Sequence, residues 1–282
     1  MPYDIRPLSD TLGAEIIGLD LAQPLDDATF AAVRQAHLDH LVLVFRDQRL
    51  SPQNQVAFSS RFGPLDRHPV TDAVLPDCPD VLVLSTKRKN GAFIGLPDAG
   101  PMWHSDLAYR EHPALGTMLY ALETPDYGGD TGFANMYKAC EALPKHLADA
   151  VAGKRAVFLA GRNNKNRSFR KGLTKVEKDE TPAVTHPIIR THPETGRQSI
   201  FASPQHAVAI EGLDERESSE ILTALFDHTA QPDFIYHHKW RVGDLTFWDN
   251  RCVQHIADLS RIDDPAYIRH MHRTTIGGGP VE

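Results

Sequence analysis

An imidazole and a carboxylate stand two residues apart in the segment Trp103-His104-Ser105-Asp106. In an extended strand, the side chains at positions i and i+2 point to the same face, so His104 and Asp106 could both reach one metal ion. A hydrogen-bonded pair would explain this common pattern equally well. The segment therefore becomes a candidate metal site only if a third ligand comes from elsewhere in the chain.

His255 is the candidate for that third ligand. It follows a strand-like run at residues 245–248 and a turn-like Asp249-Asn250. Two histidines and one carboxylate occupy one face of an octahedral metal ion and leave three positions open, the arrangement that non-haem Fe(II) oxygenases use. A bidentate co-substrate could take two of those positions and O2 the third, whereas a structural zinc site would be closed by four protein ligands.

Two arginines lie four residues apart in the strand-like segment 267–276. On a strand, Arg269, Met271, Arg273 and Thr275 would share one face. Guanidinium groups that point into a protein interior need anionic partners, because a buried unpaired charge is costly, and arginine suits bidentate binding of carboxylates. The pair therefore suggests two acidic ligands, unless the segment is an exposed edge strand with solvated charges.

The composition limits the classes of protein to which these residues could belong. The 282 residues include 30 Lys and Arg against 37 Asp and Glu, a net charge of −7, which argues against nucleic-acid binding because that needs a basic face. Hydrophobic residues make up 41% and charged residues 24%, as in globular proteins. We expect no signal peptide, since no basic region followed by an apolar stretch is visible near Met1. No apolar run approaches the roughly 20 residues that span a bilayer, and no two cysteines are closely spaced. The sequence predicts a soluble cytoplasmic protein that binds neither nucleic acid nor membranes.

The elements that must position these residues are mostly short strands. Runs rich in β-branched and aromatic residues, bounded by turn residues, lie at 14–17, 41–45, 81–84, 117–122, 156–159, 188–191, 234–238, 245–248 and 270–276. Helical patterns are fewer and lie at 26–41, at 53–62 with Ser51 as the N-cap, at 137–151 and at 214–229. No G-x-G-x-x-G or P-loop motif occurs. The pattern predicts a mainly β sandwich or barrel with helical insertions, in a single domain over residues 1–282.

Several motifs in this order resemble those of a known family. They are residues 13–21, 43–48, 62–65, 103–106, 128–131, 141–144, 192–197, 243–245, 248–251, 255 and 269–273. Over nearly the whole chain the sequence resembles the TauD/TfdA family of Fe(II)- and 2-oxoglutarate-dependent dioxygenases, which includes taurine dioxygenase. The resemblance implies a double-stranded β-helix, a jelly-roll or cupin-like fold.

The resemblance also implies the cofactors and their binding residues. His104, Asp106 and His255 would be the catalytic Fe(II) ligands, and Thr131 with Arg269 would bind the distal carboxylate of the co-substrate 2-oxoglutarate. Arg273 would bind the acidic group of the primary substrate. The stretch between His255 and Arg269 is a few residues longer than in some members, so the roles of the two arginines could be exchanged. A carboxylate at position 106 favours hydroxylation over halogenation.

For the substrate, the resemblance implies a small organic acid that reacts with O2 and 2-oxoglutarate and yields succinate and CO2 as co-products. Sulfonates, sulfate esters and aryloxyalkanoates or other carboxylates stay open, and hydroxylation could lead to C–S or C–O cleavage. The residues expected to line the pocket are Arg273, His68, Thr71, Phe201 and His206. Thr71 stands close to where taurine dioxygenase has an aromatic residue, which argues against taurine itself.

Two polar segments are predicted lids or insertions, near 86–100 and 161–182, because long polar loops beside such sites often close over ligands. Family members are commonly dimers or tetramers, so we expect a homo-oligomer. Two other interpretations share the scaffold: a non-oxidative cupin-type metal enzyme, and a non-catalytic small-molecule binding protein.

Overall fold

The computed structural model describes residues 3–67, 71–160 and 182–281, and for Thr71 the backbone only. The strands are β1 (Asp4–Pro7), β2 (Ala14–Ile17), β3 (Val42–Phe45), β4 (Val74–Leu75), β5 (Cys78–Ser85), β6 (Arg88–Lys89), β7 (Ala92–Phe93), β8 (Ala114–Glu123), β9 (Thr131–Asn135), β10 (Arg155–Phe158), β11 (Val184–Pro187), β12 (Ile189–Thr191), β13 (Gln198–Ile200), β14 (Ala207–Ile210), β15 (Ile235–His238), β16 (Leu245–Asp249), β17 (Val253–Ala257) and β18 (His270–Gly277). The α-helices are α1 (Asp27–His40), α2 (Pro52–Ser60), α3 (Met136–Glu141), α4 (Lys145–Val151) and α5 (Glu215–Thr229), and short 3-10 helices cover Thr71–Ala73 and Pro232–Phe234. The prediction of many strands with few helices is confirmed.

The largest sheet among the described residues has the strand order β1-β2-β3-β16-β8-β18-β5-β4. Every residue of β3 and β16 is buried, as expected for continuous apolar runs in the middle of a sheet that is covered on both faces. β16 pairs antiparallel with β3 and β8, and β18 pairs antiparallel with β8 and β5. The strand that carries Arg273, β18, is therefore an interior strand of this sheet.

A smaller sheet of order β15-β9-β17 covers one face of this large sheet. Phe133 of β9 packs on Trp248 of β16 with ring centroids 5.4 Å apart. Both belong to a buried cluster that also contains Met271 of β18 and Val253 of β17. Apolar side chains of the two sheets thus meet in one core, and the ends of β17 and β18 are brought close to each other.

β18 settles one alternative about the two arginines. Met271 lies in the core between the sheets, whereas His270 and His272 share the opposite face with ring centroids 5.6 Å apart. The strand is an interior strand of its sheet, and Arg269 and Arg273 are only 5% and 8% exposed. The interpretation as an exposed edge strand with solvated charges is wrong.

The helices follow the local capping chemistry of the sequence. Asp26 and Asp214 each accept a hydrogen bond from the backbone N–H three residues later, at the starts of α1 and α5. Ser51 caps α2 in a reciprocal pair with Asn54, as predicted. The single helix expected over 137–151 is wrong: α3 and α4 are separated at Pro144, because proline cannot donate a backbone hydrogen bond and disfavours helical geometry in the preceding residue.

The predicted lid near 86–100 begins as the β6–β7 hairpin and then returns along β5. The backbone of Leu96 donates to the Val83 carbonyl at 2.9 Å and accepts from Ser85 at 3.0 Å. Further on, Gly100 accepts a backbone hydrogen bond from Ala257 at 2.8 Å, next to the candidate metal site. A lid role for this segment stays a prediction. The second predicted lid, at 161–182, falls almost wholly outside the described residues, as does His68.

Across the parts of the chain that are described, no helix is long and apolar enough to cross a bilayer.

Candidate active site

Two short backbone hydrogen bonds bring the candidate histidines together. His104 and His255 form an isolated antiparallel bridge, with N···O distances of 3.1 and 2.8 Å between their backbones. Residues directly opposite each other in an antiparallel pair present their side chains to the same face. The two imidazoles accordingly lie side by side, with ring centroids 4.1 Å apart. Between His104 and Asp106, Ser105 donates its hydroxyl to the Val253 carbonyl at 2.9 Å and holds this segment against β17.

Asp106 completes the group, although not by the strand geometry that the sequence suggested. The segment after His104 is a turn in which Leu107 has φ +54°, so the carboxylate is positioned by a turn and not by strand alternation. One Asp106 oxygen lies 3.6 Å from His104 Nε2 and the other 3.8 Å from His255 Nε2. The three ligand atoms lie within 4.8 Å of one another, and all three residues are buried. We call His104, Asp106 and His255 the triad.

The protonation states of the triad suit a divalent metal. Nδ1 of His104 is 2.8 Å from the Met102 carbonyl. A carbonyl only accepts hydrogen bonds, so Nδ1 carries the proton and the lone pair of Nε2 faces Asp106. Burial, together with the neighbouring His104 and Arg273, holds the pKa of His255 well below its usual range. Burial opposes ionisation of Asp106, but the Arg273 guanidinium beside it outweighs burial and holds the pKa of Asp106 well below the usual range. The site presents one carboxylate and, at His255, a neutral imidazole, and Nε2 of His104 faces the carboxylate.

Behind Asp106 lies a chain of hydrogen bonds that fixes its orientation. The Thr117 hydroxyl donates to Asp106 Oδ2 at 2.7 Å, and Asn250 Nδ2 donates to that hydroxyl at 3.0 Å. The Asn250 amide oxygen accepts from the Asp106 backbone N–H at 3.0 Å and from Trp248 Nε1 at 3.1 Å. Partners of this kind orient metal ligands in proteins. Sequence analysis did not identify Thr117, and it noted Asn250 only as part of a motif.

Arg269 is a buried cation without a counter-ion in the described structure. Its backbone N–H donates to the Thr86 hydroxyl at 2.9 Å, but its side chain forms no ion pair with a described residue, and its Nε has no hydrogen-bond partner. Burial lowers the pKa of this guanidinium. An anion that enters the site would relieve this cost. Thr131 is also buried, and its hydroxyl accepts from Trp240 Nε1 at 2.9 Å and retains its own proton for donation.

Arg273 reaches the triad itself. Its NH2 lies 2.9 Å from Asp106 Oδ1, and its Nε donates to the Thr275 hydroxyl at 3.2 Å. A guanidinium group therefore stands directly beside the candidate metal position.

Three more of the residues predicted for a substrate pocket fall within the described structure. His206 lies beside the triad, with its ring centroid 6.1 Å from that of His104 and 5.1 Å from that of Tyr109. Phe201 is 1% exposed and packs in a core cluster against Phe158 and His186, each with centroids 5.5 Å away. For Thr71 only the backbone, in a 3-10 helix, is described. Tyr109 was not predicted, because nothing in its local sequence marks it.

The described residues contain a second group with metal-ligand chemistry, formed by His192, Asp249 and Cys252. We call these three residues together with Arg251 the Asp249 cluster. Arg251 donates to both Asp249 oxygens, at 2.8 and 2.7 Å. His192 Nδ1 accepts the backbone N–H groups of Glu194 and Thr195, each at 3.2 Å.

The hydrogen bonds of the Asp249 cluster leave no ligand atom for a metal. Because Nδ1 of His192 is an acceptor, its proton is on Nε2, which donates to Asp249 at 3.1 Å. Burial and the nearby Asp249 carboxylate raise the pKa of the Cys252 thiol well above its usual value, so it stays protonated. The cluster ties the turn after β12 to the end of β16.

Comparisons with known proteins agree with this geometry. The family model for "Taurine catabolism dioxygenase TauD, TfdA family" matches residues 4–275, and the chain belongs to this family. An (S)-phenoxypropionate/alpha-ketoglutarate-dioxygenase from Sphingobium herbicidovorans is 37% identical over 99% of this chain and 96% of the relative. An alpha-ketoglutarate-dependent 2,4-dichlorophenoxyacetate dioxygenase from Cupriavidus pinatubonensis is 34% identical over 89% of this chain and 90% of the relative.

Solved structures give the same answer. A putative alpha-ketoglutarate-dependent taurine dioxygenase from Burkholderia xenovorans is similar with a TM-score of 0.82 at 33% identity, over 99% of this chain and 91% of that one. The structure of AAD-2 in complex with Mn(II) and N-oxalylglycine has a TM-score of 0.80 at 29% identity, with both chains fully covered at 100%. The protein is a 2-oxoglutarate-dependent non-haem iron dioxygenase that uses Fe(II). The interpretations as a non-oxidative cupin-type enzyme or a non-catalytic binding protein are wrong.

Proposed function

We propose that this enzyme hydroxylates a small aryloxyalkanoate at the carbon that bears the ether oxygen. The observation that carries the proposal is the pair of buried arginines, Arg269 directly before β18 and Arg273 within it, one without an ion pair among the described residues and one beside the triad. Two cations suit two acids, namely 2-oxoglutarate and a carboxylate substrate. The two relatives named above act on phenoxypropionate and 2,4-dichlorophenoxyacetate, both aryloxy acids.

Each residue has a stated part in this proposal. His104, Asp106 and His255 hold Fe(II), and Thr117 with Asn250 keeps the carboxylate in position. Arg269 and Thr131 bind the distal carboxylate of 2-oxoglutarate. When bound, ferrous iron with 2-oxoglutarate and O2 supplies the oxidant that replaces a substrate C–H by C–OH while 2-oxoglutarate becomes succinate and CO2.

Arg273 sets the site of attack. It binds the carboxylate of the substrate, so the adjacent C–H bond is the one held nearest to the metal. Hydroxylation of a carbon that already bears an aryl ether oxygen gives a hemiketal or hemiacetal. This product breaks its C–O bond, because the hydroxyl becomes a carbonyl and the phenol leaves with the proton. The ring of His206 lies next to His104 and the ring of Tyr109 next to His206, and the proposal places the aryl group of the substrate against these rings.

The two facing sheets, with the triad between their strands, support a double-stranded β-helix as the finer description of the fold. The expected cytoplasmic location, the homo-oligomer and the lid roles stay predictions.

A substrate panel tests the proposal. Phenoxyacetate, both enantiomers of 2-phenoxypropionate, taurine and a short alkyl sulfate are each incubated with Fe(II), 2-oxoglutarate and O2, and succinate and phenol are measured. We expect succinate and phenol in equal amounts from at least one aryloxy acid. Faster turnover of taurine or the alkyl sulfate than of every aryloxy acid would reject the proposed substrate class.

A variant of Arg273 tests which arginine binds the carboxylate of the primary substrate. Arg273→Gln should raise the KM of the aryloxy acid by about 100-fold, the loss expected of a bidentate charged pair, with a much smaller change in the KM of the co-substrate. Arg216→Gln is the matched control, because Arg216 is exposed on α5. The reverse pattern of KM values would exchange the roles of Arg269 and Arg273.

A further inference from the structure

A second pocket lies between the start of β8, β12 and the segment that follows β18. Its volume is about 350 Å³, and neither the triad nor Arg269 or Arg273 lines it. Its walls include Pro113, Leu115, Pro193 and Pro280, and its charged lining residues are Arg190 and Arg251. We call it the Arg190 pocket. Its size is that of ordinary small-molecule sites, which combine apolar walls with a few charged groups.

Arg190 is the unusual residue of this pocket. It lies on β12, where it pairs with Ser199 of β13, and it is 3% exposed. Its side chain forms no hydrogen bond or ion pair with a described residue, and its buried Nε has no partner. Its guanidinium carbon lies 5.0 Å from the centroid of the Phe201 ring. Burial lowers the pKa of Arg190 to about 10, so the group stays charged at neutral pH.

The acidic residues nearby are already engaged. Asp249 is held by both arms of Arg251 and by His192. Glu194 binds Arg251 at 2.6 Å and also pairs with Arg34. Three guanidinium groups against two carboxylates leave one positive charge. Asp249 does attract Arg190 at a distance, but it makes no contact with it. A buried cation in this condition has a large unmet demand for an anion.

Arg190 shares its features with Arg269 in the active site. Both are buried guanidinium groups whose Nε has no partner, and neither forms an ion pair within the described parts of the chain. For Arg269 the proposed function supplies the anion. The proposed function supplies no anion for Arg190.

We propose that the Arg190 pocket is a second binding site, for a small carboxylate with an apolar body. The carboxylate meets the guanidinium of Arg190, and the body lies against the proline and leucine walls. Planar bidentate pairing with a carboxylate matches the guanidinium group, and apolar walls add affinity only for a ligand that carries carbon. Inorganic anions carry a negative charge but have no apolar part that could contact these walls.

Binding to the holoenzyme tests this site separately from the active site. Benzoate is titrated by calorimetry, without O2, into the enzyme loaded with Fe(II) and 2-oxoglutarate, and into its Arg273→Gln and Arg190→Gln variants. We expect Arg273→Gln to retain one benzoate site and Arg190→Gln to bind benzoate at that site at least about tenfold more weakly. Loss of all benzoate binding in Arg273→Gln, or unchanged binding at that site in Arg190→Gln, would overturn the proposal.

Two further probes fix the chemistry of the ligand. Inorganic phosphate tests for a general anion site, and benzyl alcohol tests for recognition of the ring alone. Each should bind the Arg273→Gln holoenzyme at least about tenfold more weakly than benzoate. If phosphate bound as tightly as benzoate, the apolar part of the ligand would not be recognised and that part of the proposal would be wrong. If benzyl alcohol bound as tightly, the negative charge would not be recognised and the role of Arg190 would be wrong.

The stability of the unliganded protein provides an independent measurement. Because an unpaired buried cation destabilises the fold, Arg190→Met should raise the Tm, and its 2-oxoglutarate turnover should stay within about twofold of the parent's, since Arg190 lies outside the active site. A Tm that falls by several degrees would mean that the guanidinium has structural partners, and the proposed site would be wrong. This result does not depend on the substrate of the enzyme.

Discussion

The triad and the Asp249 cluster contain nearly the same residue types in the same protein, yet only one is arranged to hold a metal. Each has a buried carboxylate next to a buried imidazole, and each has an arginine in contact with the carboxylate. In the triad, the Nε2 atoms of both histidines face Asp106, and Arg273 touches one carboxylate oxygen. In the Asp249 cluster, Arg251 occupies both carboxylate oxygens and His192 presents a proton.

The difference lies in where the lone pairs point. His104 donates through Nδ1 to a carbonyl, which frees Nε2 as a ligand, whereas His192 accepts through Nδ1 from backbone N–H groups, which puts the proton on Nε2. One backbone contact therefore decides whether a histidine can bind a metal. The Asp249 cluster is a polar support for the fold, and the triad is the open site.

Exchange of the acidic residue gives the largest expected effects. Asp106→Ala should lose Fe(II) binding and succinate formation and keep its circular dichroism spectrum, because its role is ligation. Asp249→Ala should instead lower the free energy of unfolding by about 3–5 kcal/mol, because Arg251 and His192 lose their shared partner in the interior. Metal content per chain, succinate yield and urea unfolding of the two variants check this pair.

The matched controls replace the same two aspartates by similar residues. Asp106→Glu keeps a carboxylate and should recover part of the metal binding, and Asp249→Asn keeps one acceptor and should recover part of the stability. If Asp249→Ala lost metal while folding as stably as the parent, or if Asp106→Ala kept full turnover, the roles of the two clusters would be reversed.

The sequence predicts the triad better than it predicts the surroundings of the triad. The strands could be predicted because local apolar runs such as Val42–Phe45 must be buried. The triad residues could be chosen because their types and motifs are uncommon in combination. The role of Asn250 could not be predicted, because its hydrogen bond with the Asp106 backbone joins residues 144 positions apart, and such contacts depend on the tertiary fold and not on local pattern. His104 and Asp106 do come together as predicted, but a turn, and not the predicted strand alternation, brings them together.

The same limit applies to the buried arginines. Local sequence predicted that Arg269 and Arg273 point inwards, and both are buried in the structure. It gave no reason to separate Arg190 from Arg251. Among the described residues Arg190 has no counter-ion and Arg251 has two, and this difference rests on Glu194, which is distant in sequence, and on the turn that carries it.

A smaller effect is expected from the residues that orient Asp106. Asn250→Ala removes the donor to Thr117 and the acceptor for the Asp106 backbone, so the carboxylate should lose its fixed orientation. We expect kcat/KM and Fe(II) affinity to fall by about 10–100-fold. Titration of Fe(II) against turnover measures both.

The control for this variant comes from the other cluster. His192→Gln removes an equally buried hydrogen bond to Asp249, and it should lower the Tm with unchanged Fe(II) affinity. If both variants lost stability alone, Asn250 would be a packing residue without a part in positioning the carboxylate.

The smallest expected effect concerns how the free energy of unfolding depends on pH near the Asp249 cluster. His37 of α1 is 2% exposed and stacks on Phe247 with centroids 3.7 Å apart. Burial lowers its pKa from 6.5 to about 4, although the Asp249 carboxylate pulls in the opposite direction. The folded protein therefore keeps His37 neutral, while the unfolded chain binds a proton below pH 6.5. The contribution to stability is complete above pH 6.5 and is lost as the pH falls towards 4, by about 2 kcal/mol at pH 5.

His37→Phe should remove this dependence, because phenylalanine keeps the stack and cannot be protonated. Urea unfolding at pH 7, 6 and 5 should show the parent losing about 2 kcal/mol more than the variant over this range, with the exposed His146→Gln as the control that follows the parent. Equal losses in the parent and in His37→Phe would mean that His37 is protonated in the fold, and so that the carboxylate of the Asp249 cluster outweighs burial at this distance. That outcome would change the comparison of the two clusters: the charge of Asp249 would then act beyond its own hydrogen bonds, on a side chain of α1.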